Sequence, residues 1–150
     1  MRILSATLAI ALLAGCGPAE QPAADSAVMA PAPVAALTLA DFAGTWQNTA
    51  TIVGTENPVP STLTGSADGS TWTTTLEGRP AIPTTAMLVG DSLITQTEEY
   101  ESVLRKGVMV SVRTAAVMRD GMMMGNMVAT YKTPAGEEKV NGTIQGTRAP

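Results

Sequence analysis

The sequence predicts an all-β fold, an antiparallel up-and-down barrel of about eight strands, with a two-sheet β-sandwich as the alternative. From residue 44 onward, apolar and polar residues mostly alternate, as they do in strands with one buried face. Clusters of Gly, Pro, Asn and Asp separate these segments at short intervals, which favours hairpins between consecutive strands. After residue 42 no segment has the period of a long helix.

The chain begins with a short basic segment and an apolar run. Met1-Arg2 is followed by an almost uninterrupted series of small and aliphatic residues over Ile3–Ala14. This is the outline of a secretory signal peptide. A transmembrane helix is the alternative interpretation, but a span needs about 20 apolar residues, and this run stops at Gly17-Pro18.

The end of this run, Leu13-Ala14-Gly15-Cys16, resembles the bacterial lipobox. In that family the cysteine thiol receives a diacylglyceryl group, the signal is cleaved before the cysteine, and the new amino terminus is usually acylated, with a fatty acid such as palmitate. The resemblance therefore implies a signal peptide at 1–15 and a lipidated Cys16. Several acyl chains anchor a protein stably, because each buried methylene contributes about 0.8 kcal/mol. Gly17 follows the cysteine, which by similarity to Gram-negative lipoproteins implies the outer membrane, facing the periplasm.

Residues 16–36 are expected to be a tether between this anchor and a folded domain at 37–150. The stretch after Cys16 reads GPAEQPAADSAVMAPAPVAA and has almost no large apolar side chains. It cannot bury enough surface to offset the entropy of its chain, so we expect it to be disordered.

The folded domain is predicted to open with one helical turn and to continue as eight strands. Thr38-Leu39-Ala40-Asp41 resembles a capping box, which starts a short helix and leads to Phe42. Closing the strands into a barrel would pair the last strand with the first and remove exposed edges. The predicted strands cover 44–53, 61–66, 70–77, 83–89, 92–99, 107–119, 122–132 and 138–148.

A Gly-x-Trp and a late arginine lie at the two ends of this strand series. Gly44-Thr45-Trp46 opens the first predicted strand, and Arg148 ends the last one. These residues resemble the signature of the lipocalin (calycin) family, in which such an arginine packs over the indole. The resemblance implies a lipocalin-like barrel with Trp46 and Arg148 as a structural, barrel-closing pair. A guanidinium can stack on a tryptophan face while it donates hydrogen bonds to nearby carbonyls.

The composition excludes several classes of function. The chain has 150 residues, no histidine and one cysteine, and the lipobox resemblance assigns that cysteine to the lipid. Cys/His zinc sites, disulfides, thiol catalysis and Ser–His–Asp chemistry are therefore not available. The net charge is −4, and losing Arg2 with the leader makes it −5. A negative chain without a basic cluster is a poor ligand for nucleic acid. We expect no enzymatic activity, no catalytic residue, no metal and no cofactor.

Two unusual segments have competing interpretations. The methionine-rich stretch 121–127 could bind a soft metal, but in a strand Met122 and Met124 face one way and Met123 and Met127 the other, which favours core filling. The carboxylates of 98–101 could serve acid–base work or bind a cation. A solvated strand end paired with nearby basic residues is the more ordinary interpretation.

Two functions remain open. The first is a binding module that holds a small apolar ligand or lipid, with a cavity lined by Trp46, Asn48, Trp72, Val110 and Ile144. The second is a non-enzymatic structural or interaction lipoprotein with a filled barrel and a protein partner of unknown identity. An eight-stranded barrel can be filled by side chains or can hold one small ligand, so the pattern alone does not choose between them.

Overall fold

The computed structural model describes residues 36–150; the predicted signal peptide, Cys16 and nearly all of the 16–36 tether lie outside the described residues. One helical turn, α1 (Leu39–Phe42), precedes the strands. Nine strands follow: β1 (Gly44–Ile52), β2 (Val59–Gly65), β3 (Trp72–Leu76), β4 (Ile82–Val89), β5 (Ser92–Thr97), β6 (Tyr100–Glu101), β7 (Met109–Arg119), β8 (Met122–Thr133) and β9 (Gly136–Arg148). Within the described residues no helix is long and apolar enough to cross a bilayer.

Eight of the strands form a closed antiparallel up-and-down barrel, which confirms the predicted fold and rules out the sandwich. Strands β1 to β5 pair in order, and so do β7, β8 and β9. The sheet closes twice: β9 returns to β1, with Arg148 opposite Trp46, and β5 pairs with β7, with Thr95 opposite Thr114. Closure gives every barrel strand two hydrogen-bonded neighbours.

The short strand β6 is an addition to this barrel that the alternation did not predict. Tyr100 pairs with Val110 on β7, beyond the segment of β7 that pairs with β5. The chain breaks its pairing at Glu98-Glu99 between β5 and β6. Two residues are too few to show a period of two, so β6 has no sequence signal of its own.

The predicted helical turn caps one end of the barrel. The Asp41 carboxylate accepts hydrogen bonds from the backbone N–H of Thr38 at 2.7 Å and from its hydroxyl at 2.8 Å. These bonds lower the pKa of Asp41, with the backbone bond the larger cause. Leu37 and Leu39 pack against the buried core beneath them. We call the end that α1 covers the closed end, and the opposite end the open end.

The buried apolar side chains form two clusters. The closed-end cluster consists of Phe42, Trp46, Leu63, Trp72, Leu93, Ala116 and Met123. The open-end cluster consists of Ala50, Ile52, Val110, Met127, Ala129 and Tyr131. Alternation sends every second side chain inward in both. As expected from their positions, Met123 and Met127 are buried, whereas Met122 and Met124 lie on the outside.

Candidate functional site

The closed end is filled around Trp46, which is completely buried. Its indole Nε1 donates a hydrogen bond to the Phe42 carbonyl at 2.7 Å. The Arg148 guanidinium lies 4.5 Å from the centre of the indole ring. Its Nη2 donates to the Asp41 carbonyl at 2.7 Å, and Nη1 donates to the Ala43 carbonyl. Arg148 thus covers the tryptophan and ties the end of β9 to α1.

Two glycines make room for this packing. Gly44 has φ +105°, and a Cβ at this position would lie 3.0 Å from Nη1 of Arg148. A Cβ at Gly65 would overlap the ring of Trp72, which lies flat against the backbone of β2. The Gly-x-Trp motif therefore has a local cause, since the backbone at Gly44 turns in a region that L side chains rarely adopt.

The open end contains a cavity of about 70 Å³ inside the barrel. Apolar side chains from both halves of the sheet, among them Ala50, Ile52, Val110, Val112, Met127 and Ala129, form much of its wall. Hydroxyl groups supply the rest: Ser61, Thr74, Thr95, Thr97, Tyr100, Ser102, Thr114 and Tyr131. None of the lining residues is charged.

The hydroxyls of the wall have different hydrogen-bond partners. Thr97 Oγ1 accepts from the backbone N–H of Val112 at 2.9 Å, and Thr74 and Thr84 share a hydroxyl–hydroxyl bond of 3.0 Å. Burial, with the nearby Tyr131 as a smaller cause, raises the pKa of Tyr100 to about 12. Its phenol is therefore a neutral donor and acceptor at physiological pH. The wall offers hydrogen bonds to an uncharged polar group and no charge for an ion to pair with.

Residues 102–108, the mouth loop, border the opening of this cavity. The Ser102 hydroxyl accepts hydrogen bonds from the backbone N–H groups of Leu104 at 3.1 Å and Arg105 at 3.0 Å. This turn holds Val103 and Leu104 at the cavity, where both line its wall while remaining partly exposed to solvent. The cavity therefore reaches the surface beside two apolar side chains.

Arg105 fastens the mouth loop to two strands. Its guanidinium binds the Glu138 carboxylate through two hydrogen bonds, of 2.6 and 2.8 Å, and lies 4.2 Å from the centre of the Tyr131 ring. The hydrogen bonds lower the pKa of Glu138 and raise that of Arg105. The pair is exposed, so it contributes little stability on its own but sets where the loop rests.

The sequence-predicted ligand residues do not all meet in this cavity. Val110 lies in its wall. Trp46 and Trp72 belong to the closed-end cluster, and Asn48 and Ile144 are buried in the barrel outside the cavity wall. Asn48 Oδ1 and Trp72 Nε1 have no hydrogen-bond partner within the described chain.

Sequence reasoning passed over most residues of the cavity wall, among them threonines, an alanine, a methionine and a tyrosine. Thr95 and Thr97 alternate on β5, and Met127, Ala129 and Tyr131 alternate on β8. The period of two could have placed them inside the barrel. The cavity exists because the side chains that face one another here are together smaller than those of the closed end. The strand register sets which residues face one another, and alternation alone does not show it.

The acidic side chains of the described residues lie outside the cavity wall. Within residues 36–150 no group of three or more His, Cys, Asp or Glu side chains is arranged to hold a metal ion. The carboxylates of 98–101 face solvent or neighbouring groups: Glu99 pairs with Lys132, and Glu101 Oε1 accepts from the N–H of Gly107 at 2.9 Å. The chain matches no protein-family model and no curated protein sequence.

Proposed function

We propose that this protein is a lipid-anchored, lipocalin-like barrel of the cell envelope that binds a small neutral molecule at its open end. The anchor is Cys16, and the proposed location is the outer membrane, facing the periplasm. Neither the anchor nor the binding role requires a catalytic residue, and we propose that the protein is not an enzyme. The observation that carries the binding role is the uncharged cavity of mixed apolar and hydroxyl lining.

The volume of the cavity restricts the ligand. About 70 Å³ is roughly half of a cavity of about 150 Å³ that accepts benzene, and well below the roughly 300–1,000 Å³ of drug-sized sites. A whole diacyl lipid does not fit the cavity as it stands. The proposed ligand is a molecule of a few heavy atoms with one uncharged hydrogen-bonding group, such as a short alkanol.

Methionine methyl groups provide a direct test. Met127 lines the cavity, and Met123 lies in the closed-end cluster, so the two serve as reporter and control in one sample. We expect titration of the ¹³C-methyl-labelled protein with 1-propanol and 1-butanol to shift the Met127 resonance saturably and leave Met123 unchanged. Equal movement of both resonances, or no movement of either, would contradict binding in the cavity.

A matched pair of alanine substitutions sharpens this test. Ala129 and Ala116 are both almost fully buried, but only Ala129 borders the cavity. Ala129→Val should fill part of the cavity and abolish the alkanol response with little change in stability. Ala116→Val has no space to fill and should cost about 1–3 kcal/mol through overpacking, while the alkanol response persists.

The anchor is tested separately. Cys16→Ser should leave the precursor uncleaved and without acyl chains, as measured by mass spectrometry of the amino-terminal peptide and by fractionation of the envelope. Membrane retention of the Cys16→Ser protein after normal signal cleavage would contradict a lipidated Cys16.

An interaction role with a protein partner is the second candidate. The filled closed end and the small volume of the cavity favour it over a carrier of large lipids. In that case the alkanol titration would leave Met127 unchanged, and crosslinking of the native envelope would capture one partner in a fixed ratio to the barrel.

A further inference from the structure

The outer surface of β4, β5, β7 and β8 is unusually apolar near the closed end. Four of its side chains are large hydrophobic residues with substantial exposure: Met87 at 53%, Val89 at 58%, Met122 at 37% and Met124 at 38%. Together with Ile94, Ala115 and Val117, these residues define the outer apolar face.

Strand pairing makes this face continuous. Met87 lies opposite Ile94, which lies opposite Ala115. One step nearer the closed end, Val117 lies opposite Met124 across the β7–β8 ladder. Paired residues on one side of a sheet are direct neighbours. Ser92 pairs with both Val89 and Val117, and Arg119 pairs with Met122, so the apolar side chains form one surface that also contains a hydroxyl and a guanidinium.

The opposite side of the barrel has a different composition. The outward positions of β1 carry Thr45, Gln47, Thr49 and Thr51, and threonine and glutamine continue outward on β2, β3 and β9. None of the large hydrophobic side chains exposed in residues 36–150 lies on these four strands. The barrel is therefore amphipathic across its axis, with an apolar side and a hydroxyl side.

The outer apolar face can leave water at low cost. Its strands lie within the closed ladder, so their backbone N–H and C=O groups are already paired inside the sheet. Positive and negative residues near the face are equal in number: Arg113 and Arg119 lie on β7, and Asp91 and Asp120 lie in the adjoining hairpin turns. The face therefore has no surplus charge to select an oppositely charged partner, and burial of apolar area is its source of affinity.

The position of the face relates it to the amino-terminal chain. The described chain begins at the closed end, where Leu37 packs against the closed-end cluster. Leu88 and Met118, which neighbour residues of the face along β4 and β7, pack against the same cluster. Nineteen residues lie between Cys16 and residue 36, so the distance between the two is at most about 70 Å. An anchor at Cys16 would keep this end of the barrel near the bilayer, so that even weak affinity would be effective.

We infer that the outer apolar face lies on the bilayer, with the barrel on its side and its threonine-rich face toward the aqueous phase. This inference rests on the proposed lipid anchor for proximity. Methionine and valine side chains sit among lipid headgroups and upper acyl chains, as the apolar side of an interfacial helix does. The balanced charges predict that phosphatidylcholine alone suffices and that anionic lipid adds little.

Tryptophan scanning in brominated vesicles tests this orientation. Both native tryptophans are buried in the barrel, so their background emission is shielded from lipid. We compare Met124→Trp, on the outer apolar face, with Thr49→Trp, on the opposite side. The full chain is attached to phosphatidylcholine vesicles, with or without bromine on the acyl chains, either through its native lipid or by coupling the Cys16 thiol to a maleimide lipid.

We expect bromine to quench the emission added by Met124→Trp and not that added by Thr49→Trp, and quenching to persist in vesicles without anionic lipid. Equal quenching of the two, or none, in vesicle-attached protein would overturn the inference. A blue shift of the Met124→Trp emission with rising protein concentration in the absence of vesicles would assign the face to a second copy instead.

A second variant and the two attachment routes separate the possible failures. Val89→Thr changes one exposed side chain without altering the core, and it should weaken the quenching of Met124→Trp. If the native protein carries no lipid but the maleimide-coupled chain shows the quenching, the anchor proposal fails and the orientation holds. If the lipidated chain shows no quenching, the orientation alone fails.

Discussion

The interior of this barrel is packed differently at its two ends. At the closed end, Trp46, Phe42 and Trp72 fill the interior, and glycines leave space for the rings. At the open end, alanines, valines and threonines face each other and leave a cavity. Both ends have the same inward–outward alternation. The difference shows that residue size, and not the strand pattern, decides whether a small barrel is filled.

Each end also carries an arginine stacked on an aromatic ring, with different partners. Arg148 covers Trp46 and donates to neutral backbone carbonyls of α1 and its C-terminal neighbour. Arg105 covers Tyr131 and pairs with the exposed carboxylate of Glu138. The first contact depends on neither a titrating group nor a screened ion pair. The second depends on both, so the Arg105 contact should respond to salt and acid where the Arg148 contact does not.

The largest expected effect comes from removing the aromatic filling of the closed end. Trp46→Ala should lower the free energy of unfolding by about 3–5 kcal/mol, because it leaves a large cavity and an unpaired Phe42 carbonyl. Tyr131→Ala should cost less, since Tyr131 already borders a cavity. Urea unfolding measures both, and a Trp46→Ala midpoint equal to that of wild type would contradict the packing role.

Two methionines on the same strand compare the ends with identical chemistry. Met123→Ala and Met127→Ala should each cost about 2–5 kcal/mol, with Met123→Ala the more destabilising. The reason is that Met123 is surrounded by packed side chains, whereas Met127 faces the cavity on one side and loses fewer contacts. A larger loss for Met127→Ala in urea unfolding would mean that the open end is as tightly packed as the closed end.

The two arginines give the next smaller effect. Arg148→Met should cost about 2 kcal/mol, through lost hydrogen bonds to carbonyls and lost stacking on the indole. Arg105→Met should have a smaller effect that disappears at high salt, because its ion pair is exposed and screened. Thermal unfolding at low and high salt distinguishes them. Equal salt dependence of the two variants would refute the contrast between the ends.

Acid should remove the smallest contributions, at a different pH at each site. Hydrogen bonds from Ser66 and Ser70 in the β2–β3 turn lower the pKa of Asp68 from 3.8 to about 2, and the Arg105 hydrogen bonds lower that of Glu138 from 4.5. A folded pKa below the unfolded value stabilises the protein above the unfolded pKa and loses this effect as pH falls through the folded pKa. The stability advantage of wild type over Asp68→Asn should therefore vanish between about pH 3.8 and 2.

For Glu138→Gln the corresponding loss should begin below about pH 4.5. Denaturant unfolding of both variants and wild type across pH 2–7 provides the measurement. A difference from wild type that stays constant down to pH 2 would show that the carboxylate charge is not the source of the stabilisation.

Local pattern predicted most of the fold. The eight barrel strands appear where alternation and turn residues predicted them, with ends that differ by a few residues, and the capping box at Thr38 forms one helical turn. These features depend on neighbours within a few positions along the chain. β6 was not predicted, because its pairing depends on β7. Four of the five expected ligand residues lie outside the cavity wall. Alternation predicts which side chains point inward, but not how far along the barrel they lie.

The sequence by itself determined the alternation, the turns and therefore an antiparallel meander, because a strand with one apolar face must bury it and short hairpins pair consecutive strands. It also determined the absence of histidine from the whole chain. Closure into a barrel, through β9–β1 and β5–β7, was decided by the tertiary structure. Only the tertiary structure decided where space remains. Thr95 and Thr114 meet across the β5–β7 closure, and Arg105 reaches Glu138 over 33 residues of chain. Such contacts depend on the strand register around a closed sheet, because the side chains of one interior layer come from distant parts of the sequence.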